Sequence, residues 1–188
     1  MNHPMHPTTN ILAISGSLRQ SSSNTTLMNA IINLAPDYLN FTTYTGLGDL
    51  PHFNPDLDTD QAPQSVQTLR TQLSQAHGVL ICSPEYGNGV PGALKNALDW
   101  IVSSGEFVNK PTAVITASPS PLGGNYANAS LLLTLQMINA QLSDTTTLTI
   151  PHITLKLSKE GIITDLTLKQ NLQALLQSLH QSCHPSIN

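Results

Sequence analysis

Short apolar runs alternate along this chain with segments whose apolar positions recur every three or four residues. Ile11, Leu12, Ala13 and Ile14 form the first run, too short for a helix and bounded by Gly16, and read as a buried strand. Leu27, Met28, Ile31, Ile32 and Leu34 then mark a helix face. Residues 40–45 (NFTTYT) carry the β-branched and aromatic content of a second strand, followed by a Gly-, Pro- and Asp-rich loop from Gly46 to about Pro63. A polar helix shows Val66, Leu69 and Leu73 on one face, and GVLIC at 78–82 is a third, buried strand. The next helix is expected to open at Pro91 and to turn Leu94, Ala97, Leu98 and Ile101 inward. PTAVITA at 111–117 is the fourth strand, LLLTLQMI at 131–138 lies in the helix after it, and Thr145–Ile150 is the fifth strand. An amphipathic helix over Leu166–Leu179 closes the pattern. Strand and helix in regular alternation predict an α/β fold: a five-stranded parallel sheet with helices on both faces.

Length and composition fit that picture. A chain of 188 residues with 39% hydrophobic content suits one domain with a full core, expected over residues 10–181. A loosely ordered segment is expected over residues 1–9 and a tail over 182–188. Only 10% of residues are charged and the formal net charge is -4, with no basic cluster, which excludes nucleic-acid binding as the expected role. No apolar run is long enough for a membrane span, and MNHPMHPTTN lacks the apolar core of a signal peptide, so a cytoplasmic protein is expected.

The two cysteines make no disulfide framework, and Cys82, inside an apolar run, reads as a buried reduced thiol. His180, Cys183 and His184 have the spacing HxxCH but no fourth ligand nearby, so a frayed tail is expected there and no metal site. His52, His77 and His152 stand alone and gain no role from spacing. Trp100, the only tryptophan, has two readings: a core residue, or an aromatic anchor at a subunit interface. Lys95, Asn96 and Asp99 are expected to form the polar side of its helix.

In a parallel sheet of this kind ligands sit outside the carboxyl ends of the strands, where strand order reverses. The loop after the first strand, SGSLRQSSSNTT, is crowded with hydroxyls, has Gly16 for the bend, and holds Arg19, one of only two arginines. The helix after it presents unpaired amides and a positive dipole end, so the loop suits an anion, phosphate above all. Capping of the helix by Ser22, Ser23 or Asn24 is the plainer role of such residues, but needs only one of them. Neither GxGxxG nor GxxxxGK[ST] is present, which disfavours a dinucleotide fold and a P-loop NTPase. The loops at 83–92 (SPEYGNGVPG) and 118–126 (SPSPLGGNY) should converge on the same place, and their small residues allow close approach to a flat ligand.

GSLRQSSSN at 16–24 together with PEYGNGVPGALKNALDW at 84–100 resembles the NADPH-dependent FMN reductase family, and the likeness extends in element order over residues 10–150. The resemblance implies a flavodoxin-like fold, bound FMN, and NADPH or NADH as electron donor. Position by position it implies that Ser17, Arg19, Ser22, Ser23 and Asn24 hold the FMN phosphate. Pro84, Glu85 and Tyr86 would line the ribityl chain and one edge of the ring, Gly87 and Asn88 would lie near the reactive edge, and Ser118 to Gly124, with Gly123, would approach the opposite side. Family members commonly carry Asn or His directly after PEY, where this chain has Gly87, and an Arg and a Gln after the Gly pair, where it has Tyr126 and Asn128.

The chemistry so implied belongs to the cofactor, which agrees with a chain that shows no Cys/His pair, acid/base carboxylate dyad or metal set. The expected activity is ping-pong transfer from NAD(P)H through FMN to quinones or similar acceptors such as flavin, azo dye or chromate. No residue is expected to act as a catalytic nucleophile. The resemblance also implies a homodimer, or a homotetramer. Two other readings stay open: a flavodoxin-type FMN-binding electron carrier without its own NAD(P)H turnover, and a phosphate-binding protein without flavin. Only 11 Asp and Glu, with no dense acidic run, argue against the carrier.

Overall fold

Five strands, all parallel, form one sheet in the computed structural model, which describes residues 7–184. The strands are β1 (Thr9–Ser15), β2 (Leu39–Tyr44), β3 (Gly78–Ser83), β4 (Thr112–Ala117) and β5 (Thr147–Ile150), in the order β2-β1-β3-β4-β5. Every residue of β3 and of β4 is buried, because helices cover both faces; this is why GVLIC and TAVITA read as unbroken apolar runs and not as alternating ones.

The helices α1 (Ser23–Leu34) and α5 (Leu166–Cys183) pack on one face against Ile11, Ala13, Leu80 and Ile115. On the other face α2 (Gln64–Gln75), α3 (Gly92–Asp99) and α4 (Asn125–Met137) pack against Leu12, Val79, Ile81 and Val114. The chain steps outward from β1 to β2, then returns across β1 to β3, β4 and β5. Strand order therefore reverses between β1 and β3, and the loops after those two strands leave the sheet side by side. This is the flavodoxin-like arrangement that the resemblance implied.

Several local expectations need correction. Pro91 is not the first helical residue but the residue before it: its backbone is extended (φ -52, ψ 135), and its carbonyl accepts from Lys95 N at 3.0 Å. β5 opens at Thr147, because Ser143 caps a single 3₁₀ turn over Asp144–Thr146 where a strand was expected from Thr145. Trp100 is a core residue and not an interface anchor: it is fully buried, its indole Nε1 donates to Pro51 O at 2.9 Å, and Phe53 meets its ring edge-on. Asn96 does not simply add to a polar side with Lys95 and Asp99. Its amide donates to Pro51 O and its Oδ1 accepts from Phe53 N, so it pins the long loop before α2.

The first and last elements meet at the amino ends of the strands, opposite the convergent loops. Thr9, expected in a loose segment, is fully buried in β1, and its Oγ1 lies 2.7 Å from His180 Nδ1 and 2.8 Å from His184 Nε2. The frayed tail expected at HxxCH is instead the last turn of α5 and its cap, with His180 buried. His77, which spacing left without a role, accepts from Asn10 N at its Nδ1, 2.9 Å away. The rest of the expected terminal segments, residues 1–6 and 185–188, lies outside the described residues. Among the described residues no group of His, Cys, Asp and Glu is arranged to hold a metal ion, and no helix is long and apolar enough to cross a membrane.

Candidate functional site

The bend after β1 depends on Gly16, since a Cβ there would stand 2.6 Å from Ser83 Oγ at the end of β3. From that bend the loop folds onto its own hydroxyls. Ser15 Oγ and Thr25 Oγ1 lie 2.7 Å apart, and Ser17 Oγ accepts from Arg19 N at 3.2 Å. Ser22 is the N-cap of α1, its Oγ accepting from Asn24 N at 3.2 Å, so one residue of the loop fulfils the capping role.

Asn24 is 3% exposed and does two things at once. Its Nδ2 donates to Ala117 O at 3.0 Å, tying α1 to the end of β4, while its Oδ1 is buried with no partner among the described residues. Also among the described residues, the backbone amides of Gln20, Ser21 and Ser23 find no acceptor. Among the described residues the exposed Arg19 guanidinium bonds only Ser21 Oγ, through Nε at 3.1 Å, and faces no carboxylate. Free amides, an unpaired cation and the positive end of a three-turn helix make a cradle for an anion.

The loop after β3 is a tight hairpin turn. Tyr86 and Gly89 exchange backbone hydrogen bonds of 3.1 Å, and both central residues, Gly87 (φ 55) and Asn88 (φ 59), lie in the left-handed region. That is the type I′ turn, and Gly and Asn are the residues that adopt it at least cost. The departure from the family pattern at Gly87 thus serves the backbone. Tyr86, half exposed, places Oη 3.0 Å from Ser17 Oγ and so joins the first and third loops.

The loop after β4 ends in Gly123 (φ 63) and Gly124 (φ 82), both buried. A Cβ on Gly123 would lie 2.8 Å from Pro151 N, so the pair passes directly over the end of β5. Ser118 Oγ donates to Ser120 Oγ and accepts from Ser120 N, both at 3.1 Å. Pro84 and Glu85 lead into the Tyr86 turn, and the Glu85 carboxylate reaches α4, accepting from Tyr126 N at 2.9 Å and Ala127 N at 3.0 Å. The structure therefore brings all three expected loops together at the strand reversal: Ser17 to Tyr86, Asn24 to Ala117, and Glu85 to Tyr126.

Three residues with no role in the sequence reading border this region. Thr116 Oγ1 on β4 is fully buried without a partner among the described residues, as is Nδ2 of Asn128 one turn into α4; a hydroxyl inside the apolar run TAVITA was the available signal. Tyr44, at the end of β2, is 5% exposed; its phenol has no partner among the described residues, and its pKa is pushed up to about 12 by burial and by the Asp49 charge. It lines a cleft of about 260 Å³ behind the first loop, with Ser15, Ser17, Arg19 and Thr25. Cys82 beneath the site is fully buried, and burial pushes its thiol far up, so it is no nucleophile at neutral pH.

Residues 9–154 match the family described as NADPH-dependent FMN reductase. A quinone reductase of Pseudomonas putida is 34% identical over 134 residues, covering 69% of this chain and 70% of its own length. A 2-hydroxy-1,4-benzoquinone reductase of a Burkholderia species is 32% identical over 169 residues, 88% of this chain and 91% of that protein. Among solved structures, the flavoenzyme NAD(P)H:(acceptor) oxidoreductase FerB of Paracoccus denitrificans superposes with a TM-score of 0.85 at 31% identity, covering 94% of this chain and 97% of that one.

Proposed function

The chain belongs to the NADPH-dependent FMN reductase family, and from that premise we propose that it carries electrons from NADPH or NADH to quinones or similar small acceptors by a ping-pong sequence, the nicotinamide leaving before the acceptor enters. The observation that carries this reading is the cradle of free amides beside the unpaired Arg19, joined through Ser17 and Tyr86 to the Gly87–Asn88 turn. The names of the similar quinone reductases support the acceptor class.

The residues present fit FMN. A phosphate would be held by the amides of Gln20, Ser21 and Ser23, the guanidinium of Arg19 and the hydroxyls of Ser17 and Ser23, while Ser22 caps α1 and Asn24 ties it to the end of β4 beneath. Pro84 to Asn88 and Ser118 to Gly124 would wall the rest of the cofactor. When bound, FMN supplies the redox chemistry, accepting a hydride from the nicotinamide and passing electrons to the acceptor. The protein's part is orientation and electrostatics: the Gly87–Gly89 and Gly123–Gly124 backbones allow close approach, and helix N-termini and Arg19 stabilise negative charge.

The assembly proposed is a homodimer, with a tetramer of paired dimers as the larger form. Support comes from the solvent face of α4, where Tyr126, Leu133 and Met137 are 52%, 68% and 58% exposed and form one apolar stripe. The cytoplasm, where reduced nicotinamide nucleotides are regenerated, is the proposed location. Incubation with excess FMN followed by gel filtration tests the cofactor assignment: a flavin spectrum that travels with the protein supports it, and protein free of flavin with no measurable affinity for FMN refutes it.

A further inference from the structure

Glu85 does more than line a wall. The N-cap of α4 is Gly124, which has no side chain to offer, and its left-handed backbone (φ 82) strains any larger residue, whose Cβ would also sit tight against Thr116 Cβ at 3.3 Å. The helix cannot cap itself. Its first amide, Asn125 N, turns back to Leu122 O, and Asn128 N reaches Gly124 O, which leaves Tyr126 N and Ala127 N. Both are taken by one oxygen, Glu85 Oε2, from a loop 41 and 42 residues earlier. A carboxylate there also faces the positive end of the α4 dipole.

We propose that Glu85 is a positioning residue that locks the Tyr86–Gly89 turn to the first turn of α4, so that the two become ordered together. The neighbour in sequence, Tyr86, ties the same turn to Ser17, and Tyr126 beyond the cap begins the exposed apolar stripe of α4. One carboxylate thus connects the loop that faces the cofactor with the helix that faces a second copy. The inference rests on the FMN reading for its effect on cofactor binding, whereas the lock itself is a property of the protein without cofactor.

The test is hydrogen exchange of individual amides by NMR in the cofactor-free protein, with FMN affinity measured separately. In Glu85→Ala the Tyr126 and Ala127 amides should exchange about tenfold faster or more, and the Tyr86 and Gly89 amides, each of which donates to the other residue's carbonyl, should speed up with them. Glu85→Gln keeps an oxygen able to accept both amides and should hold all four near their original rates. Faster exchange confined to Tyr126 and Ala127 would reduce Glu85 to a simple cap and overturn the proposal. Should Glu85→Ala not fold, FMN added to the parent protein decides the same question: the lock requires slower exchange at Tyr126 and Ala127 as well as in the turn, and slowing in the turn alone contradicts it. A parent protein that binds no FMN refutes the cofactor assignment and leaves the exchange comparison of the variants standing.

Discussion

The phenol oxygen of Tyr86 lies 3.0 Å from the hydroxyl of Ser17, joining the loop after β3 to the loop after β1 across the point where strand order reverses. The two loops are thereby held at one spacing before any ligand arrives, and a preformed site loses less free energy to ordering on binding. Tyr86→Phe should leave thermal stability nearly unchanged, since the ring is half exposed. It should weaken FMN binding by about 1 kcal/mol, or roughly fivefold. Titration calorimetry showing unchanged affinity would separate this contact from the site.

Arg19 carries the only side-chain charge in the anion cradle and pairs with no carboxylate among the described residues. Arg19→Ala should cost about 1.5 to 3 kcal/mol of FMN affinity, the size of a charge-assisted hydrogen bond, with the fold intact because the side chain is exposed. Equal affinity in parent and variant would move the phosphate away from this loop.

Asp58 makes a structural pair on the far side of α2. Hydrogen bonds from Arg70 Nη2, at 2.7 Å, and from Ser103 hold its carboxyl below the usual carboxylate range, and Arg70 also donates to Trp100 O at 2.6 Å. A carboxyl with a lowered folded-state pKa contributes its stability above the ordinary carboxylate range and loses it as pH falls through the folded value. Asp58→Asn should therefore destabilise the protein by about 1.5 to 3 kcal/mol at neutral pH, and the difference should shrink in acid. Denaturant melts showing one constant difference from neutral to strongly acidic pH would contradict the assignment.

Two glycines with similar positive φ should respond differently to alanine. At Gly87 a Cβ meets nothing within 4 Å, so only the left-handed conformation is penalised, by about 1 to 2 kcal/mol. At Gly123 the same strain is joined by backbone atoms at 2.8 and 2.9 Å, and Gly123→Ala should be clearly the more destabilised of the pair in urea melts. Equal losses at the two positions would mean that the loop after β4 does not press on the end of β5 as described.

The sheet and its ligand end were legible because their signals are local. β3 and β4 read as unbroken apolar runs since both faces are covered, and the loops at their ends stand out by composition. What stayed hidden depends on distant partners. Trp100 is satisfied by Pro51 O, 49 residues back; Thr9 and His180 meet from opposite ends of the chain; and Glu85 finds its amides in a helix whose own N-cap is a glycine. No periodicity within one element records such pairings. The resemblance placed Asn24 among the phosphate ligands; what the sequence did not record is that its amide nitrogen donates to Ala117 O, 93 residues away.

The central claim, electron transfer from a nicotinamide nucleotide through FMN held in this cradle, is tested most directly by adding NADPH, and separately NADH, to the FMN-loaded protein under anaerobic conditions and following flavin absorbance. Rapid bleaching by at least one nucleotide, with the oxidised spectrum returning when a benzoquinone is added, is the expected result. Flavin that stays oxidised with both nucleotides, in protein shown to hold FMN, would contradict the account and leave a carrier in place of a reductase.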